Sequence, residues 1–372
     1  MSASIAWLHV GDLHLEAGDG WESLRRLETI VAEANQIGSG IDFVFLPGDN
    51  ANNARADEYA RMLRALEPLT LPWRTIPGDH DFEGRSISNY EAAIAAENRP
   101  KQEVFAGHRC VFLDIVSEGA GGPDFRLPMG ERLRLAEELM TAKATGQTAL
   151  VFMHAYPCDL AADGAEIASV LAEGDVRFVD TGHTHYNELL NDGRVVYGAT
   201  RSTGQIEEAN GQPGYTLVCV HDGVPSWRFR PLGTSWPALQ IVSPADLRMV
   251  TRPAEPSQVP RPGSVTVTVR GFGPMEHAPL LSLDGGKGVP MRCGEDGLWR
   301  ASVPIEAPGL HRLTARSGGA EDSIDVLVRP LERLPKRRLP VSLGETCHAI
   351  GAWPEAGLFG TRLGPNSNGR DW

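Results

Sequence analysis

Apolar positions along the first two-thirds of the chain follow two alternating rhythms. Short continuous runs, Ile5 to Val10 and Ile41 to Leu46, have the pattern of strands buried on both faces. Between them Trp21, Leu24, Leu27, Ile30, Val31 and Ala34 recur at helical spacing, and a second helix carries Tyr59, Met62, Leu63 and Leu66. Arg109 to Val116, Thr148 to Met153, Val176 to Val179 and Arg194 to Tyr197 continue the strand series, with a helix from about Met129 to Lys143 between the first two. The alternation predicts a layered α/β unit. Tyr215 to Val220 and Val224 to Arg230 flank Asp222-Gly223, a pair suited to the positive φ values of a primed hairpin turn, and this hairpin closes the unit.

Past Trp236-Pro237 helical periodicity disappears. Leu239 to Val242, Val265 to Val269, Leu298 to Val303, Leu310 to Ala315 and Ile324 to Val328 are short alternating segments separated by turn residues, the pattern of a small β-sandwich. The proline-rich stretch with Pro253, Pro256, Pro260 and Pro262 fits a long connection inside that sandwich better than a linker ahead of it. From Arg333 the chain carries Lys336-Arg337-Arg338 and then a segment rich in Gly, Pro and Asn. Its Ile350, Trp353, Leu358, Phe359 and Trp372 are more apolar than a disordered tail, which predicts an extended arm that packs. The expected division is residues 1–237, 238–332 and 333–372.

Length supports more than one core, since 372 residues exceed a typical domain. A formal net charge of −13 argues against a surface built to hold long nucleic acid and favours a small-molecule partner. Cys110, Cys158, Cys219, Cys293 and Cys347 lack metal-ligand spacing and are odd in number, so they are expected to be buried thiols and not a disulfide framework. With no signal-like start and no apolar run long enough to span a bilayer, a soluble cytoplasmic protein without a membrane partner is expected. An extended arm and an added sandwich would also suit a homo-oligomer.

Oxygen and nitrogen ligands cluster just after the strand-like runs: Asp12 with His14, Gly48-Asp49, Gly78-Asp79-His80-Asp81, His154, and Gly182-His183-Thr184-His185. Alternate residues of an extended segment share a face, so Asp12 and His14 can converge on one ion, and His183 and His185 can do the same. The carboxyl ends of neighbouring strands would aim all five segments into one crevice. Glycines 48, 78 and 182 would permit the tight turns this needs. Mixed carboxylate and imidazole donors suit transition ions, with Mn or Fe favoured and Zn or Co as alternatives. Two such ions can share a carboxylate, generate a bridging hydroxide near neutral pH and neutralise a phosphoryl group in flight.

In their order and spacing these motifs resemble the calcineurin-like metallophosphoesterases and, within them, the bacterial class III cyclic-nucleotide phosphodiesterase branch. The resemblance covers roughly residues 4–232. It implies a four-layer sheet sandwich flanked by helices, to which the C-terminal all-β, immunoglobulin-like sandwich is added. It further implies that Asp12, His14, Asp49 and His185 hold one metal and Asp49, Asp79, His154 and His183 the other, with Asp49 bridging. His80 would face the scissile phosphate and protonate or stabilise the leaving oxygen, and Asp81 would orient that imidazole. The expected activity is hydrolysis of a small phosphodiester, cyclic nucleotides among the candidates. A phosphomonoesterase and a non-catalytic binding scaffold are the alternatives.

One position departs from the family pattern. The third motif usually carries an Asn where this chain has Asp79, and a carboxylate binds metal more strongly than an amide but cannot donate a hydrogen bond to phosphate. The additional charge brings the site near neutrality, which predicts a bias toward a monoanionic diester or toward one trivalent iron. Asn50, Asn52 and Asn53 are expected to shape the turn after Asp49, His9 to pack locally, and Arg201 to be an exposed loop residue. The loop Ser117 to Pro128 is a candidate wall of the pocket.

Overall fold

The computed structural model describes residues 4–208, 211–334, 350 and 353–358. In chain order the first two-thirds comprise β1 (Ser4–His9), α1 (Glu22–Ala34), β2 (Phe43–Leu46), α2 (Ala56–Leu66), β3 (Trp73–Thr75), α3 (Ser88–Ala93), β4 (Gln102–Phe105), β5 (His108–Phe112), α4 (Met129–Thr145) and β6 (Thr148–Phe152). They continue with α5 (Gly164–Glu173), β7 (Phe178–Thr181), β8 (Glu188–Asn191), β9 (Val196–Ala199), β10 (Gly214–His221) and β11 (Val224–Pro231). Strands order as β11-β10-β1-β2-β3 in one sheet and β4-β5-β6-β7-β9-β8 in the other. Both sheets are mixed, with parallel centres formed by β1-β2-β3 and by β5-β6-β7-β9.

Period-two alternation decides what each strand touches. Trp7, Phe43, Phe45, Phe112, Phe152 and Phe178 point between the sheets and form an aromatic interlayer, with Phe45 and Phe112 each within 4.8 Å of Phe152. The intervening residues of the first sheet, Ala6, Leu8, Val44 and Leu46, face outward against Leu27, Ile30 and Val31 of α1 and Tyr59 and Met62 of α2. On the second sheet Val111, Val151 and Val179 face outward against Leu135 and Leu139 of α4 and Ile167 and Leu171 of α5. Strands apolar on both faces and helices apolar on one are therefore the same fact seen from two layers. Hairpin β10–β11 turns at Asp222 and Gly223, whose φ values of 49° and 74° are those the primed turn requires.

Beyond it lie β12 (Ala238–Ser243), β13 (Gly263–Phe272), β14 (Leu280–Leu283), β15 (Val289–Pro290), β16 (Arg292–Cys293), β17 (Trp299–Ile305), β18 (Gly309–Ser317) and β19 (Ala320–Val328). These make two four-stranded sheets, β12-β13-β17-β16 and β15-β14-β18-β19. The prolines from 253 to 262 fall in the connection between β12 and β13, as expected. One apolar cluster runs on from Val218 and Trp227 through Leu239, Ile241 and Met249 to Val267, Leu313 and Val326.

Several expectations need correction. Leu113, Ile115 and Val116 are buried but leave the sheet after Phe112, and the sequence pattern does not predict β3, β4, α3, α5, β8 or the short strands β14 to β16. The tail expected to pack as an arm lies mostly outside the described residues; within it Ile350, Trp353, Ala356 and Leu358 are buried. Cys110 and Cys219 are buried thiols, but Cys293 is exposed, and Cys347 lies outside the described residues. Among the described residues no helix is long and apolar enough to cross a membrane.

Candidate metal centre

Every expected donor sits just past the carboxyl end of a strand: Asp12 and His14 after β1, Asp49 after β2, Asp79 after β3, His154 after β6, and His183 and His185 after β7. The three carboxylates and His14 thus come from one sheet and the other three imidazoles from the second, so the centre lies across the seam between them. Backbone hydrogen bonds stitch the loops together: the His14 amide donates to the Asp49 carbonyl at 2.8 Å, and the Gly182 amide to the His154 carbonyl at 2.8 Å. His14, Asp49, His183 and His185 adopt positive φ values of 42°, 50°, 65° and 61°, a region that costs non-glycine residues energy. Gly48, at φ 111°, takes the most extreme of these corners, and a Cβ there would collide with His154 and Gly78.

Side chains converge in three donor groups: Asp12, His14 and His185; His14, Asp49 and His80; and Asp79, His154 and His183, with the donor atoms of each group within 4.8 Å of one another. Asp49 Oδ2 lies 3.6 Å from His14 Nε2 and 3.4 Å from His154 Nε2, between the outer two groups. His14 Nε2 and His185 Nε2 face each other at 2.8 Å, and Asp79 Oδ1 lies 3.2 Å from His154 Nε2 and 3.4 Å from His183 Nδ1. Asp12 is wholly buried and neither of its oxygens forms a hydrogen bond of good geometry, although the His183 amide approaches it. A buried carboxylate left in that condition, beside inward-facing imidazole nitrogens, is what a cation site provides. The donor set therefore fits transition ions.

Electrostatics tell the same story. Burial pushes the Asp12 carboxyl up to about 8, with Asp49 and Asp79 adding to the rise against His154. Burial also works against ionised Asp49 and Asp79, yet the neighbouring His154 outweighs it, and Asp49 falls to about 2 while Asp79 lies below the ordinary carboxylate range with His183 assisting. Burial lowers His14 to about 3 and lowers His185 as well, keeping both as neutral lone-pair donors. For His154 burial is overcome by the carboxylates of Asp49 and Asp79, which raise it well above the usual imidazole value. Such crowding of negative charge is relieved by cations.

His80 and Asp81 part company in the structure. A short 3-10 turn over His80–Phe82 sends the His80 ring to the cleft, where its Nδ1 donates to the Asn52 carbonyl at 2.9 Å. Asp81 turns the other way and does not orient that imidazole. It accepts from the amides of Asn50, Ala51 and Gly78, from Asn50 Nδ2, and from the Tyr59 hydroxyl at 2.7 Å. Burial raises it to about 6, and these donors hold it down only in part. Its role is to tie the Asp49 loop to the Asp79 loop.

Several other residues sit differently from the expectation. Arg201 is 1% exposed and ion-paired with Glu208, not an exposed loop arginine. Asn50 and Asn53 shape their turn through Asp81 and Glu58, whereas Asn52 also accepts from His14 Nδ1 at 3.1 Å. His9 does pack locally, but in a buried pair with Asp180 at 2.5 Å. Phe125 of the 117–128 loop lies edge-on to His183, ring centres 4.7 Å apart. Nothing in the periodicity marks these partners, because each is set by tertiary contact.

Residues 7–187 match the family model of the calcineurin-like phosphoesterases. Just under half of the chain is thus similar to the calcineurin-like phosphoesterases. A protein of Fibrobacter succinogenes named as a probable cyclic nucleotide phosphodiesterase is 25% identical over 210 residues, 53% of this chain and 76% of that one. Among solved structures, a dimetal phosphatase from Danio rerio is 13% identical with a TM-score of 0.49, covering 72% of this chain and 96% of its own. A purple acid phosphatase from yellow lupin is 14% identical with a TM-score of 0.48, covering 63% of this chain and 53% of its own. The match supports a metal-dependent phosphoesterase, and the family implies a dinuclear centre that the clustered donors suit.

Proposed function

We propose that the chain hydrolyses a small phosphodiester at a dinuclear centre, with Asp12, His14, Asp49 and His185 holding one ion and Asp49, Asp79, His154 and His183 the other. The observation that carries this reading is the position of Asp49 Oδ2, 3.6 Å and 3.4 Å from imidazole nitrogens of the two sets. Ions bound there, manganese or iron by donor chemistry, would supply Lewis acidity to the phosphoryl oxygens and an acidified water. Asp49 also accepts from the His80 amide at 2.9 Å, which fixes the cleft-facing turn relative to the donors. With its Nδ1 proton given to Asn52, His80 presents Nε2 to the cleft. Burial works against its protonation, but Asp49, the Asn52 carbonyl and Asp79 raise its pKa, which suits it to hold a proton for the leaving oxygen. The extra carboxylate of Asp79 and the name of the Fibrobacter relative both favour a diester, cyclic nucleotides included. We read residues 238–332 as an immunoglobulin-like sandwich appended to this domain.

The test is metal analysis of the purified chain together with a panel of paired phosphomono- and phosphodiesters that includes cyclic nucleotides, with Asp49→Asn alongside. Two ions per chain and diester turnover that collapses by two or more orders of magnitude in the variant are expected. Undiminished hydrolysis by Asp49→Asn refutes the bridging role, and faster turnover of every monoester makes the chain a phosphomonoesterase.

A further inference from the structure

Three imidazoles of the centre have their outer nitrogen committed to a carbonyl: His14 to Asn52 Oδ1 at 3.1 Å, His154 to the Pro47 carbonyl at 2.7 Å and His80 to the Asn52 carbonyl at 2.9 Å. Each such bond fixes the tautomer and aims the other nitrogen inward. His185 is different. Its Nε2 faces His14 Nε2 at 2.8 Å and Asp12 Oδ2 at 3.9 Å, but its buried Nδ1 makes no hydrogen bond. The group standing before that nitrogen is the Glu207 carboxylate, with Oε1 at 3.4 Å.

Glu207 does not reach His185 from a loose loop. Upstream, the Ser202 hydroxyl donates to the Asp12 carbonyl at 2.9 Å, as do the amides of Thr203 at 3.0 Å and Gly204 at 3.2 Å, and Gln205 Nε2 donates to Asn52 Oδ1 at 3.1 Å. Downstream, Glu208 Oε1 accepts from the Asn187 amide at 2.7 Å and the same side chain pairs with buried Arg201. Both anchors belong to the loops that carry Asp12 and His185, so the backbone delivers the Glu207 carboxylate to a fixed place over the imidazole.

We propose that Glu207 is a positioning residue for His185: its carboxylate accepts the Nδ1 proton and so holds the imidazole in the tautomer whose Nε2 lone pair faces the centre. The assignment rests on the dinuclear reading above. Glu207 is 56% exposed where Pro47 is buried and Asn52 partly buried, which makes His185 the donor whose orientation depends most on a solvent-facing partner.

The experiment is calorimetric titration of Mn2+ alone into the metal-stripped full chain, for wild type, Glu207→Gln and Glu207→Ala. Glu207→Ala is expected to weaken one of two sites by about 10- to 100-fold and leave the other unchanged. Glu207→Gln, which keeps an oxygen acceptor without the charge, is expected to stay within a few-fold of wild type. Unchanged affinity in Glu207→Ala overturns the proposal, as does a Gln variant as weak as the Ala variant, since the carboxylate would then act by charge alone. A wild-type chain that takes up no Mn2+ overturns the metal centre itself, and this assignment with it.

Discussion

Asp79 shows how much one side chain can decide. It lies between His154 and His183 at 3.2 and 3.4 Å, ionised despite burial because both imidazoles bond it. Asp79→Asn removes one negative charge from the centre, so a dianionic monoester should gain on a monoanionic diester by about tenfold in relative kcat/KM. A ratio and a metal content both unchanged would sink the charge argument. A second residue makes a prediction away from the site. Burial pushes His108, at the start of β5, from 6.5 down to about 4, so the unfolded chain binds its proton first as pH falls. Stability from this group is complete above pH 6.5 and is lost between there and about pH 4, on the order of 3 kcal/mol in all. Urea midpoints measured from pH 7 to pH 4 should fall less steeply for His108→Gln than for wild type; parallel curves would contradict this.

Elements with strong periodicity were legible in the sequence, and those defined by their neighbours were not. β1, β2 and β6 are apolar runs that need no partner to be recognised, and the donors following them were found because strand ends impose a direction. β8, with the sequence Glu188 to Asn191, is an antiparallel edge against β9 and has no such run. Asp81 departs from expectation for a similar reason: adjacency to His80 says nothing about which way a 3-10 turn will face it. The tie between β1 and β7 was equally invisible. His9 and Asp180 meet at 2.5 Å with the Trp7 indole also donating to the carboxylate, all of it buried, three residues before Asp12 and three before His183. Asp180→Ala strips both donors of their acceptor and should cost about 3–5 kcal/mol. Chemical denaturation reads it directly, and a loss under 1 kcal/mol would show that the pair does little.

At the scale of the whole molecule the α/β two-thirds and the β-rich segment after it are not strung together loosely. Asp322 of β19 takes Arg228 of β11 as an ion-pair partner across the boundary expected near residue 237, while its other oxygen accepts from the Ile241 amide of β12 at 2.6 Å. Arg177, just ahead of β7, pairs with Glu255 at 2.8 Å, and Arg252 pairs with Asp175 at 2.6 Å. With a shared apolar cluster as well, thermal unfolding should follow one transition by far-UV dichroism and tryptophan fluorescence alike. Two resolved midpoints would show that the C-terminal sheets melt on their own.

Because acids come from one sheet and most imidazoles from the other, a bound ion is also a gauge of how the sheets are aligned. A substitution at Phe45 or Phe152, deep in the interlayer and touching no donor's function, would slide the faces by fractions of an ångström. Such damage would register as an altered metal inventory well before it registered as lost fold.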